Sequence, residues 1–298
     1  MNDKQNNDTI LPTEQELAWA ARLKQAATAD DDSSGIDVKD VSDWEFLQHA
    51  IVAKDNTAAA LTRLRNLQAL KQRYGIIRDG SVDEAARDLK TFLQTHPGLY
   101  LSLATWTTSC TSTTSDDNDK NNPLPVGTQI FCSEYQHFNA ARMKSEEAYA
   151  VYMRAAFYVL QAAQCNLPAV RAGLMLYLDV LGALRYRSFQ TEARARALYG
   201  QAYPIRIQGV VLLTASLALR MAYQWLFRPW MSTKVKSVLY MPAVARDEYL
   251  LNHVSSSSTT PKSCLPQAWG GDLAVDDFYD TILDRLRQRY HLVETFRL

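Results

Sequence analysis

The side chains best suited to catalysis or metal binding are scattered along this chain. The histidines, His49, His96, His137, His253 and His291, stand alone, and the cysteines, Cys110, Cys132, Cys165 and Cys264, lie far apart. Neither set has the close spacing by which ligands converge on one metal ion or two thiols on one redox centre. A lone histidine is expected at the surface or at a helix end, and unpaired cysteines fit a reduced, intracellular protein. Asp179 closes an apolar run, Leu174-Met175-Leu176-Tyr177-Leu178-Asp179. There it can serve as a general base or cap the loop that follows, and the second role needs no partner. The sequence holds no Gly-x-Ser-x-Gly elbow, no Gly-x-Gly-x-x-Gly and no Gly-x-x-x-x-Gly-Lys phosphate loop. Without a visible nucleophile–base pair, binding is expected rather than turnover, with no cofactor and no metal.

Charge narrows the class of partner. Lysine plus arginine equals aspartate plus glutamate, 32 each, so no net charge draws the chain onto nucleic acid. The charges are nonetheless uneven. Asp30, Asp31, Asp32, Asp116, Asp117 and Asp119 mark acidic loops, whereas Arg185, Arg187, Arg194, Arg196, Arg206, Arg228, Lys234 and Lys236 crowd one later region. Such a run is either a solvated face or a patch for an anionic surface. The first nine residues lack the apolar centre of a signal peptide. The longest apolar stretches, near 173–184 and 209–219, are too short to span a bilayer, and Asp179 interrupts the first. A membrane would be met from its surface, by a monomer of cytoplasmic location.

The elements that must position these residues follow from periodicity. Residues 1–36 read as a loose tail ending in an acidic linker. Residues 37–96 read as a helical domain. Val41, Trp44, Leu47 and Ile51 recur at helical spacing, as do Leu61, Leu64, Leu67, Leu70 and Tyr74 up to Gly75. Ser81-Val82-Asp83-Glu84 is a capping-box sequence, and His96-Pro97-Gly98 closes the helix it opens. Residues 105–122 and 255–263 are low-complexity polar insertions, expected as exposed loops. Between them, strands at 129–133, 174–179, 209–214 and 235–241 alternate with helices at 145–164, 191–202 and 216–227. That alternation predicts an α/β fold with a mostly parallel sheet over residues 97–273. Residues 274–298 form an amphipathic helix, with Phe278, Tyr279, Ile282, Leu283, Leu286 and Tyr290 on its stripe.

Four landmarks in this second half occur together and in order. They are Gly173-Leu-Met-Leu-Tyr-Leu-Asp179, Tyr203-Pro204-Ile205-Arg206, Phe227-Arg228-Pro229-Trp230 and Leu265-Pro266-Gln267-Ala268-Trp269-Gly270-Gly271. On these residues the chain resembles the CRAL-TRIO lipid-binding family, which includes the phosphatidylinositol/phosphatidylcholine and α-tocopherol transfer proteins. Residues 43–75 resemble more distantly the small helical domain that precedes such domains, with Gln48, His49 and Ile51 departing from its usual run of arginines and bulky apolar residues.

The resemblance implies an apolar pocket with a strand floor and a gate helix. Leu174, Leu176 and Leu178 share one strand face, and Val210 and Leu212 can share it on the next strand. They fit plain core equally well by periodicity alone. Read as a pocket, the floor is joined by Ala195, Leu198 and Tyr199 from the preceding helix. The gate, 216–227, brings Leu217, Met221, Trp225 and Leu226, which are expected to seal the pocket in solution and touch the bilayer when it opens. Arg206, Arg228, Lys234 and Lys236 then become candidates for anionic head groups, Arg206 and Lys234 by the resemblance to α-tocopherol transfer protein-like members. Gln208 and Val238 stand where further basic residues are usual. The threonine–lysine pair of phosphatidylinositol carriers falls on Val235 and Val238, which favours a less polar ligand such as a terpenoid, a sterol-like molecule or a fatty acid. The expected function is a carrier of one hydrophobic lipid-like ligand at membrane surfaces. The alternative is a protein-interaction or scaffolding module on the same fold, without a ligand.

Overall fold

The computed structural model describes residues 11–29, 40–76, 81–106, 124–134, 138–180, 197–231, 233–249, 265–272, 274 and 277–298. In chain order its regular elements begin with the helices α1 (Glu14–Ala29), α2 (Asp43–Ala53), α3 (Thr57–Tyr74) and α4 (Val82–Thr95), then the strands β1 (Tyr100–Thr105) and β2 (Gln129–Glu134). They continue with α5 (Glu146–Ala163), α6 (Leu167–Ala172), β3 (Leu174–Asp179), β4 (Ile207–Leu213), α7 (Leu217–Ala222), α8 (Thr233–Val238), β5 (Leu239–Tyr240) and α9 (Asp277–Thr295).

Short polar side chains decide where the early helices start. Ser42 and Glu45 form a reciprocal capping box on α2, each side chain accepting the other's backbone N–H. Ser81 accepts from the Glu84 N–H at the start of α4. Such caps satisfy donors that the first helical turn leaves open, worth about 1 kcal/mol each. α1 lies inside the stretch expected as a loose tail, so that expectation is corrected. Its buried residues are mainly Ala20, Leu23 and Ala27, packed on α2 and α3. Small side chains at helical spacing permit close helix contact without a bulky apolar stripe.

Among the described residues the strands form one sheet in the order β1-β2-β3-β4-β5. β1 and β2 are antiparallel and the remaining neighbours are parallel, so the molecule is α/β with a mostly parallel sheet. β1 had no counterpart among the expected strands, and of the expected first polar insertion only residues 105 and 106 are described, neither of them in an exposed loop. Thr105 ends β1, and the Trp106 side chain is buried. The last strand is shorter than expected: residues 233–238 form α8, and only Leu239 and Tyr240 pair with β4. Gly209 is close to the neighbouring strand, the Met175 sulfur standing 2.8 Å from where a Cβ would be.

The sheet buries both faces unequally. Leu103, Phe131, Leu176, Val210 and Leu239 stand in register across one face. That face meets α5 and α9 in the main core, through Met153, Phe157, Ile282 and Leu286. The other face carries Ala104, Ile130, Cys132, Tyr177 and Val211, covered by Trp106, Leu265 and Trp269. Two of the sequence landmarks are tight crossings in this frame. A Cβ on Gly173 would stand 2.4 Å from the Arg206 carbonyl oxygen, which itself accepts from the Leu174 N–H. A Cβ on Gly271 would stand 2.0 Å from the Leu265 carbonyl oxygen. Among the described residues no helix is long and apolar enough to cross a membrane.

Candidate functional site

The strand row expected to line a pocket lies on β3 and β4. Leu176 is in register with Val210, and Leu178 with Leu212. All four are only half-buried, although they sit on central strands of a parallel sheet, where both faces are normally covered. Leu174 differs, being buried in the main core together with Leu198. Leu178, Leu212 and Leu239 gather around Tyr223, Met241 and Val180 in a separate cluster. The structure therefore brings part of the expected lining together, with Tyr223 as a member that periodicity did not single out. Ala195, and the side chains of Tyr199 and Lys234, lie outside the described residues.

The gate segment departs from expectation in its rotation. α7 passes into a wider π-helical turn at Tyr223–Phe227 and a 3-10 turn at Arg228–Trp230. Leu217, Met221, Trp225 and Leu226 do not turn inward to seal the floor. They are exposed, Trp225 at 75%, and Trp230 beside them reaches 89%. The cause is the opposite side of the helix. Tyr223 donates its hydroxyl to the Leu239 carbonyl at 3.0 Å, Gln224 its amide to the Met241 carbonyl at 2.9 Å, and Arg220 its guanidinium to the Ala243 carbonyl at 2.6 Å. Three donors within five residues of the helix thus meet the alternate carbonyls of Leu239, Met241 and Ala243, which fixes the helix with its apolar side out. Burial pushes the Tyr223 hydroxyl pKa up, so it remains a donor at neutral pH.

The basic residues are dispersed around this segment. Arg228 is exposed and donates to Gln224 at 3.2 Å, and Lys236 is exposed and reaches the Pro229 carbonyl at 3.4 Å. Arg206 is half-buried just before β4 and donates to the Arg171 carbonyl at 3.1 Å.

Asp179 has a long-range role that spacing did not reveal. It is the register partner of Glu134, so two carboxylates stand together at the ends of β3 and β2. Arg246 Nη1 donates to Asp179 at 2.6 Å and to Glu134 at 3.2 Å, and the Trp269 indole N–H donates to Glu134 at 3.0 Å. Arg246 also donates to Asp247 at 2.9 Å, so one arginine ties three carboxylates together and anchors the segment after β5. A polar cleft lined by Gly75, Glu84, Asp88, Arg154 and Tyr158 is likewise committed. Arg154 forks Asp88 at 2.7 and 3.0 Å, and burial with Asp88 and Glu84 pushes the Tyr158 hydroxyl up to about 12.

His49 overturns the expectation of a surface or capping histidine. It is fully buried in α2, and burial with Lys71, Arg63 and Arg289 pushes its pKa down to about 3. His96 does end α4, stacked on Phe138. Among the described residues no group of histidine, cysteine, aspartate and glutamate has the arrangement of a metal site. Compared with known proteins, the chain matches no family model and no curated protein.

Proposed function

We propose that the protein binds one hydrophobic, lipid-like ligand against the half-buried strand floor and transfers or presents it at membrane surfaces, on a CRAL-TRIO-like fold and without catalysis. The observation that carries this reading is the pairing of that floor with a short helix whose bulky side chains face outward. Apolar area left in water costs about 25 cal/mol per Å². Leu217, Met221, Trp225, Leu226 and Trp230 therefore suit an apolar phase outside the protein, and tryptophan suits the edge of a bilayer. Arg228 and Lys236 flank this apolar side and can meet anionic lipid, each for roughly 1 kcal/mol.

The energetics suit exchange. Burying a lipid chain contributes about 0.8 kcal/mol per methylene, and the bilayer offers nearly the same. Net driving force is then small, and the barrier is the half-extracted chain. A gate that already presents its apolar side to the membrane lowers that barrier. The side-chain bonds from Arg220, Tyr223 and Gln224 are what must loosen for the floor to open.

The same exposed tryptophans favour a second reading, a protein-interaction surface, because tryptophan and arginine dominate interface hot spots. Uptake separates the two. Incubation with vesicles carrying a self-quenched fluorescent fatty acid or sterol should dequench the probe as protein is added. Dequenching that never exceeds that given by an inert protein would discard the carrier reading and leave the interaction surface.

A further inference from the structure

We infer that the Ser133 hydroxyl is the hydrogen-bonding anchor of the ligand floor, and that the ligand is an uncharged apolar alcohol whose own hydroxyl pairs with it. This rests on the carrier reading above and narrows the class of molecule carried.

Ser133 is the last residue but one of β2. Successive side chains of a strand take opposite faces. Phe131 packs in the main core and Cys132 in the cluster on the other side of the sheet, so Ser133 shares the face of Phe131. Its register partners on that face are Leu101 of β1 and Leu178 of β3, and Leu178 is level in turn with Leu212 of β4. Ser133 therefore extends the row in which Leu178 and Leu212 are left half-buried.

The hydroxyl stands apart from that row in chemistry. Ser133 is 0% exposed, and among the described residues its Oγ has no hydrogen-bond partner. A buried hydroxyl without a partner destabilises the fold, a cost that alanine at the same place would avoid. Gln129, on the same face beyond Phe131, shows the contrast. Its amide donates to the Gly127 carbonyl at 2.7 Å, and its Oε1 accepts from the Thr105 hydroxyl at 3.2 Å and from Arg285. A bridging water needs two to four polar partners, whereas the side chains level with Ser133 are leucines. The partner that fits is a polar group carried by an apolar molecule lying on those leucines.

Charge decides which polar group. A serine hydroxyl both donates and accepts, so its geometry suits an alcohol and a carboxylate alike. A carboxylate would leave water for apolar surroundings and would need a cation there. Arg285 meets this face at Gln129 and Thr105, four residues from Ser133 and about 13 Å along the strand. Arg246 is on the opposite face and holds Glu134 and Asp179. A neutral hydroxyl needs neither cation, and one bond to Ser133 replaces one bond to water.

The test partitions radiolabelled dodecanol, dodecane and dodecanoate between the full chain and cyclodextrin at pH 8. Ser133→Ala should weaken dodecanol binding about fivefold, the worth of one net hydrogen bond, and should leave dodecane within about twofold of wild type. Ser133→Cys, close in size but a weak donor, should show the same selective loss, and Ser133→Thr should retain dodecanol. Wild type should hold dodecanoate at least about tenfold more weakly than dodecanol. Dodecanol and dodecane weakened alike, or neither weakened, would overturn the anchor and leave the carrier reading in place. Dodecanoate held as tightly as dodecanol would overturn the neutral ligand. Uptake of none of the three by wild type would remove the carrier reading and this assignment together.

Discussion

α2 and α7 break the usual rule of burial in opposite directions. α2 buries Glu45, Gln48 and His49 along with its apolar residues, and α7 exposes Leu217 and Met221 while burying none of its side chains. Each inversion has a different physical basis. In α2 two of the three buried polar side chains are joined to others: Lys71 lies 2.5 Å from Glu45, and the Gln48 amide donates to the Gln164 side chain at 3.3 Å. In α7 and the turn that continues it, the polar groups are satisfied by the carbonyls of Leu239, Met241 and Ala243, and the apolar groups are left outside. Removing side chains from the first helix should therefore damage the fold, and removing them from the second should damage only what the protein touches.

The largest effect is expected at the buried pair. Lys71→Ala leaves the Glu45 carboxylate buried without its cation and should cost about 3–5 kcal/mol in denaturant unfolding. A loss under about 1 kcal/mol would mean that α2 tolerates unpaired charge, and would erase much of its contrast with α7.

Acid sharpens the same contrast. The unfolded chain protonates His49 near 6.5 and the folded chain only at about 3. Protons therefore favour the unfolded state: stability is complete above pH 6.5 and falls as pH drops toward 3. Asp43 works in a lower window. Burial raises its pKa, but the Leu298 N–H and Lys24 hold it below 3.8, so its contribution is present above that value and lost below it. Urea unfolding of His49→Gln between about pH 6.5 and 4.5 should show a shallower decline than wild type; parallel curves would clear His49 of any part in the acid sensitivity.

Ser42→Ala should cost about 1 kcal/mol by opening the α2 capping box, read as a lower thermal midpoint. The smallest effect on stability is expected at the gate. Trp225→Ser with Trp230→Ser should leave the unfolding free energy within about 0.5 kcal/mol of wild type. The same pair should nonetheless lose most of its binding to vesicles, and stable variants that still bind would separate the exposed face from the membrane.

Much of the architecture was readable in advance because its signals are local. The strand runs at β2, β3 and β4 and the serine cap of α4 need no distant partner. β1 escaped notice because Tyr100 to Thr105 is brief and polar residues follow it. α8 was misread because Val235-Lys236-Ser237-Val238 alternates as a strand would, yet only the two residues that follow it pair with β4. The candidate site was less readable. Leu176, Leu178, Val210 and Leu212 declared a shared face, but periodicity could not give the rotation of α7, which depends on carbonyls some twenty residues later. Arg246 with Glu134 and Asp179, and Arg171 with Glu16, join residues 67 to 155 positions apart, and no local pattern announces such pairs.

Native mass spectrometry tests the central claim most directly. After incubation with fatty acids, sterols, terpenoids and phospholipids, followed by removal of unbound lipid, the chain should retain one apolar molecule and show a raised thermal midpoint. A spectrum holding only the unliganded mass for the whole panel, with an unchanged midpoint, would contradict it.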